Sequence, residues 1–207
     1  MAIISNATTI ADAGAFSVSL GSMVHIKTLT ASASATLSFV DGTDGVVLDS
    51  TYPIYKILVI NSHPSTLDAK INLRGSIDGG SSYGVSKTTT VFSASHNEND
   101  SDANLTYQGG AADLANSTSG QRIATYGVGN NSDDNVCGEI LLFNPSSTTF
   151  VKHFLSQSMQ SHKDTGADNT FVGGYFNTTS AVNAIRFEMS SGNIDTGKIK
   201  LYGIKDS

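Results

Sequence analysis

Apolar side chains recur at every second position in segment after segment of this chain. In KINLRGSI, Lys70 to Ile77, the residues Ile71, Leu73 and Ile77 fall on one side with Gly75, and Lys70, Asn72, Arg74 and Ser76 fall on the other. A period of two is the mark of a strand with one buried face. The same alternation predicts strands at Phe16 to Ile26, Ala35 to Val40, Ile54 to Ile60, Lys87 to Ser95, Arg122 to Val128, Gly138 to Phe143, Phe150 to Met159, Phe171 to Asn177, Ala184 to Met189 and Lys198 to Ile204. No stretch carries the 3.6-residue spacing of an amphipathic helix.

Turn formers punctuate these segments: DGTDG at Asp41 to Gly45, DGG at Asp78 to Gly80, GNNSDDN at Gly129 to Asn135, NPSS at Asn144 to Ser147 and SSGN at Ser190 to Asn193. Short strands at this spacing predict an all-β fold, an antiparallel β-sandwich of jelly-roll type. One long elaborated loop, with room for one short strand or helical turn, is expected from about Ser95 to Gly120, with Leu105, Tyr107 and Leu114 as isolated anchors. Residues 1–15 are small and apolar without strong turn signals, which predicts an N-terminal arm ordered against a neighbour. Residues 16–207 then form a single domain.

Composition narrows the class. With 39% apolar and only 14% charged residues, the chain can build a core without disulfides or metals. The net charge is −6 and the cations are scattered, so no groove is expected to collect the phosphates of a nucleic acid. Cys137 is the single cysteine, which excludes an internal disulfide and suggests a buried thiol in a product of a reducing cytoplasm. No window approaches the roughly 20 apolar residues of a membrane-spanning helix, and no secretory leader is legible, so no membrane association is expected.

Candidate chemistry is sparse. SIDGGSSY, Ser76 to Tyr83, resembles the Asp-box of sialidase-type propellers, with Ser82 and Tyr83 in place of Thr and Trp. A propeller needs several blades of about 40 to 50 residues, and only one box occurs. Asp78, Gly79 and Gly80 are therefore expected to form a structural turn, the carboxylate accepting turn amides and the glycines supplying positive φ. The histidines His25, His63, His96, His153 and His162 lack metal-ligand spacing. His63 is expected to shape a turn before Pro64, and His153 to share a core or interface face with Val151 and Leu155. Acidic loops at Asp41 to Gly45, Asn97 to Asp102 and Ser132 to Asn135 invite a calcium reading, yet none fits the EF-hand pattern, and solvated turns are expected. No nucleophile elbow, Walker loop or dinucleotide fingerprint is present, so neither catalysis nor a cofactor is expected.

Two stretches carry a resemblance. YPIYKILVINSHPSTLDAKINLRGSIDGGSSYGVSKTTT (Tyr52 to Thr90) and FVGGYFNTTSAVNAIRFEMSSGNIDTGKIKLYGI (Phe171 to Ile204), with NPSSTTFVKHF between them, resemble small virion proteins of tailed bacteriophages. The resemblance implies a non-enzymatic jelly-roll module on the particle surface, made in the host cytoplasm and assembled as a homotrimer. Its implied partners are the major capsid protein or other virion proteins, and its implied role is that of a capsid decoration, or cement, protein. The alternative is a tail fibre or spike module that contacts host surface glycans.

Overall fold

Alternation along the sequence becomes alternation of burial in the fold. The computed structural model describes residues 3–5, 8–12, 15–16, 22–163 and 165–206. Among the described residues every regular element is a strand: β1 (Ile3–Ser5), β2 (Thr8–Asp12), β3 (Ala15–Phe16), β4 (Met23–Thr30), β5 (Leu37–Val40), β6 (Ile54–Pro64), β7 (Ile71–Ser76), β8 (Lys87–Asn97), β9 (Ala103–Tyr107), β10 (Gln121–Arg122), β11 (Val136–Phe143), β12 (Lys152–His162), β13 (Gly166–Phe176), β14 (Ala184–Met189) and β15 (Ile194–Ile204). All pairings are antiparallel.

An eight-stranded sheet has the order β4-β15-β6-β11-β12-β13-β8-β9, and a four-stranded sheet has the order β10-β7-β14-β5. Each strand of the smaller sheet is entered from the larger one and followed by a return to it. The chain thus crosses the interior repeatedly, while β8–β9 and β11–β12–β13 run on as neighbours within the larger sheet. One apolar cluster joins the layers, with Phe39, Ile71, Leu73, Ile185 and Phe187 from the smaller sheet and Tyr55, Ile57, Leu142, Phe154, Phe176 and Leu201 from the larger. This all-β, antiparallel arrangement is consistent with a β-sandwich.

Gly75 marks a close approach of the layers. A Cβ placed there would lie 2.6 Å from Cε1 of Phe176, so only glycine lets that ring seat against β7. Phe176 in turn packs beside Phe154 with ring centroids 5.3 Å apart.

Four expectations are corrected. The strand expected to Val128 ends at Arg122, because residues 123–128 close one end of the interior and bond to both layers. Ile123 donates its amide to Ile71 O at 3.0 Å, Thr125 donates to Thr170 Oγ1 at 3.3 Å, and Val128 donates to Ala69 O at 3.0 Å. The segment expected to turn at His63 stays in β6 through Pro64; Asn61, at φ 49°, absorbs a register shift instead of ending the strand. In the long loop the short strand allowed for is β9; its Leu105 and Tyr107 are exposed rather than buried, whereas Leu114 is buried and trades backbone and hydroxyl bonds with Thr89. The single strand expected from Phe16 to Ile26 is two strands, β3 and β4, with residues 17–21 outside the described residues.

The segment read as an arm, residues 1–15, lies partly outside the described residues. Within it β1 pairs with β2, and β2 with β3, in a separate three-stranded sheet.

Candidate functional site

The side of the larger sheet that faces away from the core carries a cluster of exposed apolar side chains on β8, β9, β12 and β13, beside a Lys56–Glu139 ion pair. Directly paired residues of antiparallel strands point to the same face. One such row crosses the whole sheet: Thr28, Lys200, Leu58, Glu139, Gln157, Phe171, Phe92 and Tyr107. The adjacent row carries Lys56, Leu141, Leu155, Gly173 and Thr90, and the next pairs Cys137 with Met159 and Ala94 with Leu105. On this outer face Phe92 is 45% exposed, Leu155 52%, Met159 49%, Tyr107 62% and Leu105 76%.

These side chains form a continuous surface. Phe92 and Phe171 stack with centroids 4.8 Å apart and planes 11° from parallel. Beside them a shallow groove of about 390 Å³ is lined by Phe92, Leu141, Leu155, Phe171 and Gly173, with Thr90, Glu139 and Gln157 also on its wall. Gly173 keeps its floor low, since a Cβ there would stand 3.5 Å from Leu155 Cδ2. Single exposed apolar residues are ordinary on protein surfaces; a contiguous set of this kind marks an interaction site.

The opposite outer face has another character. On the smaller sheet, Arg74 Nε donates to Glu188 Oε1 at 2.5 Å, and the Arg186 guanidinium lies 3.6 Å from the centroid of the Tyr83 ring. That face has the polar composition usual for the solvated side of an antiparallel sheet.

Meanwhile the inward face of β8, β12 and β13 is unusually polar. Lys87 and Lys152 flank Phe176 in one row and are both buried. Lys87 Nζ donates to Val85 O at 2.9 Å, and Lys152 Nζ donates to Phe150 O at 2.7 Å and Thr178 O at 3.1 Å. Neither has a carboxylate partner among the described residues. Burial, with a contribution from Arg74, pulls the Lys87 ammonium down to about 8, and burial also lowers Lys152. Asp168 is buried and its carboxyl is pushed up by desolvation, an effect His162 opposes. The strands thus place polar groups where a core is expected and apolar groups where water is expected.

The Asp-box-like hairpin sits after β7. Ser76 Oγ donates to Asp78 Oδ1 at 2.6 Å, and Ser82 donates its amide to the same oxygen at 2.9 Å. Gly80 donates its amide to Ser76 Oγ at 3.0 Å, and Gly79 donates to Asn183 Oδ1 at 2.9 Å. Gly79 and Gly80 adopt φ of 69° and 84°. The Ser76 hydroxyl and the Ser82 amide hold the Asp78 carboxyl below its usual range.

The other titratable candidates are dispersed. His25 stacks edge-on to Tyr202, His63 Nδ1 lies 2.7 Å from Asp134 O, His96 pairs with Asp100, and His162 lies edge-on to Tyr126. His153 shares the exposed face of β12 with Leu155, because Lys152 and Phe154 point inward, which excludes the core half of its expectation. Cys137, expected to be buried, is half-buried on the outer face and donates to Asn61 Oδ1. In the acidic loops, Asp41 Oδ1 accepts the Leu48 amide and Asp134 Oδ2 accepts the Asn131 amide.

Sequence reasoning identified FVKHFL and GEILLF as apolar strands but did not resolve which alternate side chains face out. The run Lys152, Phe154, Ser156, Ser158 against His153, Leu155, Gln157, Met159 gives two faces of nearly equal polarity, so the strand's own sequence carries no signal for which face is buried. Compared with protein-family models, curated proteins and solved structures, the chain matches none.

Proposed function

We propose that this chain is a non-enzymatic structural protein of a tailed-phage particle: a jelly-roll module that assembles as a homotrimer and decorates the capsid by binding its assembled lattice. The observation that carries this reading is the apolar outer face around Phe92, Leu155 and Phe171. Half-buried aromatic and aliphatic side chains there gain by leaving water, and the surrounding Ser, Thr and Asn lose little rotamer freedom on docking.

Three further features support it. The repeated crossing between layers is the connectivity on which jelly rolls are built. The resemblance of Tyr52 to Thr90 and Phe171 to Ile204 to phage virion proteins supplies the particle, and the scattered cations argue for protein partners over nucleic acid. A protein that binds only the assembled lattice stabilises it by mass action. The docking partner in this reading is the major capsid protein, and the site of action is the outer surface of the particle.

A second reading is favoured by one observation. Tyr107 is strongly exposed, and its hydroxyl donates to Asp113 at 3.0 Å, an aromatic platform beside an acceptor that would suit a host glycan on a tail fibre or spike.

Adding purified protein to particles that lack it tests the proposal. Wild type binds with a stoichiometry matching the capsid lattice, and Phe92→Asp with Leu155→Asp does not bind. Labelling confined to the tail supports the second reading, and cleavage of host polysaccharide by the protein overturns both.

A further inference from the structure

Three shallow depressions follow one another along the outward side of β12. The first is the groove beside Phe92 and Phe171. A second, of about 340 Å³, reaches Leu58, Cys137, Met159 and Asn169, and it shares Glu139 and Gln157 with the first. A third, of about 660 Å³, shares Cys137 and Met159 with the second and extends to His96, Glu98, Asn135 and Ser161. Together they make one groove running from Leu155 to Ser161. At about 3.3 Å per residue this span is about 20 Å, the length of a short extended segment.

The chemistry changes along the groove. Its first end is apolar, with Phe92, Leu141, Leu155 and Phe171 on the wall. In the middle Gln157 and Asn169 are joined by a single long hydrogen bond of 3.4 Å, so their carboxamides keep donors and acceptors for the main chain of a ligand. Glu139, also in the middle, is already paired with Lys56 at 2.6 Å. At the far end Glu98 is exposed and, among the described residues, makes no ion pair. Asp100, bonded to His96, brings a second carboxylate to that end. No lysine or arginine lines any of the three depressions. The charge left for a ligand to complement is therefore negative, and it lies at one end only.

We infer that this groove receives an extended segment of a partner protein, with a bulky apolar side chain over Leu155 and Phe171 and a lysine or arginine six residues away against Glu98. An even spacing is required, because alternate side chains of an extended chain point to the same side. The inference rests on the docking through the outer face proposed above and states what the docked partner presents there.

The test is a synthetic peptide with Phe at its first position, Arg at its seventh and Ser and Thr between them, capped at both ends and titrated into isotope-labelled full-length protein. Backbone amide shifts along β11, β12 and β13 are expected to saturate in the millimolar range or below. Glu98→Lys weakens binding about fivefold, the scale of an exposed ion pair, and Leu155→Ser weakens it as well. Asp206→Lys makes the same charge change at the opposite end of the sheet, where Ile204 pairs with Ile54, and leaves binding unaltered. A peptide with Phe and Arg adjacent binds more weakly than the spaced one. Shifts confined to other surfaces, no saturable binding, or an affinity indifferent to Glu98→Lys overturns the groove assignment. Concentration-dependent shifts of the same amides without peptide give the groove to a second copy of this chain and overturn it too. In each of these cases particle binding that Phe92→Asp with Leu155→Asp abolishes leaves the docking proposal standing. Peptide binding by a protein that does not bind particles has the reverse meaning: the groove stands and the lattice docking fails.

Discussion

Phe92 and Phe171 stack 4.8 Å apart on the side of their sheet that faces away from the core. A stacked aromatic pair contributes about 0.5–1.5 kcal/mol beyond its buried area when it is enclosed, and here one face of the pair remains open to solvent. Phe92→Ser combined with Leu155→Ser is therefore expected to lower the unfolding free energy by about 1 kcal/mol or less. The same variant is expected to lose particle binding. Urea unfolding and a sedimentation binding assay measure the two effects separately.

Gly75→Ala acts on the interior. The new methyl group would stand 2.6 Å from the Phe176 ring, which is enclosed by Phe154 and the two buried lysines and has little room to move. Overpacking of this kind costs about 1–3 kcal/mol, measurable as a lower urea midpoint with an unchanged slope.

Lys87 makes stability depend on alkaline pH. Its pKa is about 8 in the fold and near 10.5 in the free side chain, so the unfolded chain binds more protons between those values. Stability then rises with pH through that window, and Lys87's contribution is lost as pH falls through about 8. Lys87→Met removes this rise, so the stability difference between variant and wild type is expected to be larger at pH 7.5 than at pH 10. Chemical unfolding of both proteins at the two pH values checks it.

Asp78 gives the opposite end of the pH scale a signature. Bonds from the Ser76 hydroxyl and the Ser82 amide lower its pKa in the fold, so its stabilising contribution is complete above the ordinary carboxylate value of 3.8 and disappears as pH falls through the lowered one. Asp78→Ala is expected to be less stable than wild type at pH 6 and to converge with it in strong acid.

Strand positions were legible where one face of the alternation is clearly apolar, as in AIRFEM, Ala184–Met189; in KINLRGSI the strand ends at Ser76, and Ile77, expected on the buried face with Ile71 and Leu73, is exposed. Facing direction was not legible in β12. There, pairing with Phe176 and Val172 decides that Phe154 points inward and Leu155 outward, and that information lies in another strand. The end of β10 escaped for a related reason: Ile123 and Val128 alternate like strand residues, but the segment bonds to two layers instead of one ladder. Of the candidate surface, only the register placed Phe92, Leu155, Phe171 and Tyr107 side by side.

Hydroxyl-radical footprinting of free protein and of assembled particles reads the outer face residue by residue. Strong protection of Met159, Phe92 and Leu155 on the particle, with Ile77 beyond the smaller sheet still labelled, is the expected result. Equal labelling of Met159, Phe92 and Leu155 in the two states would contradict docking through this face.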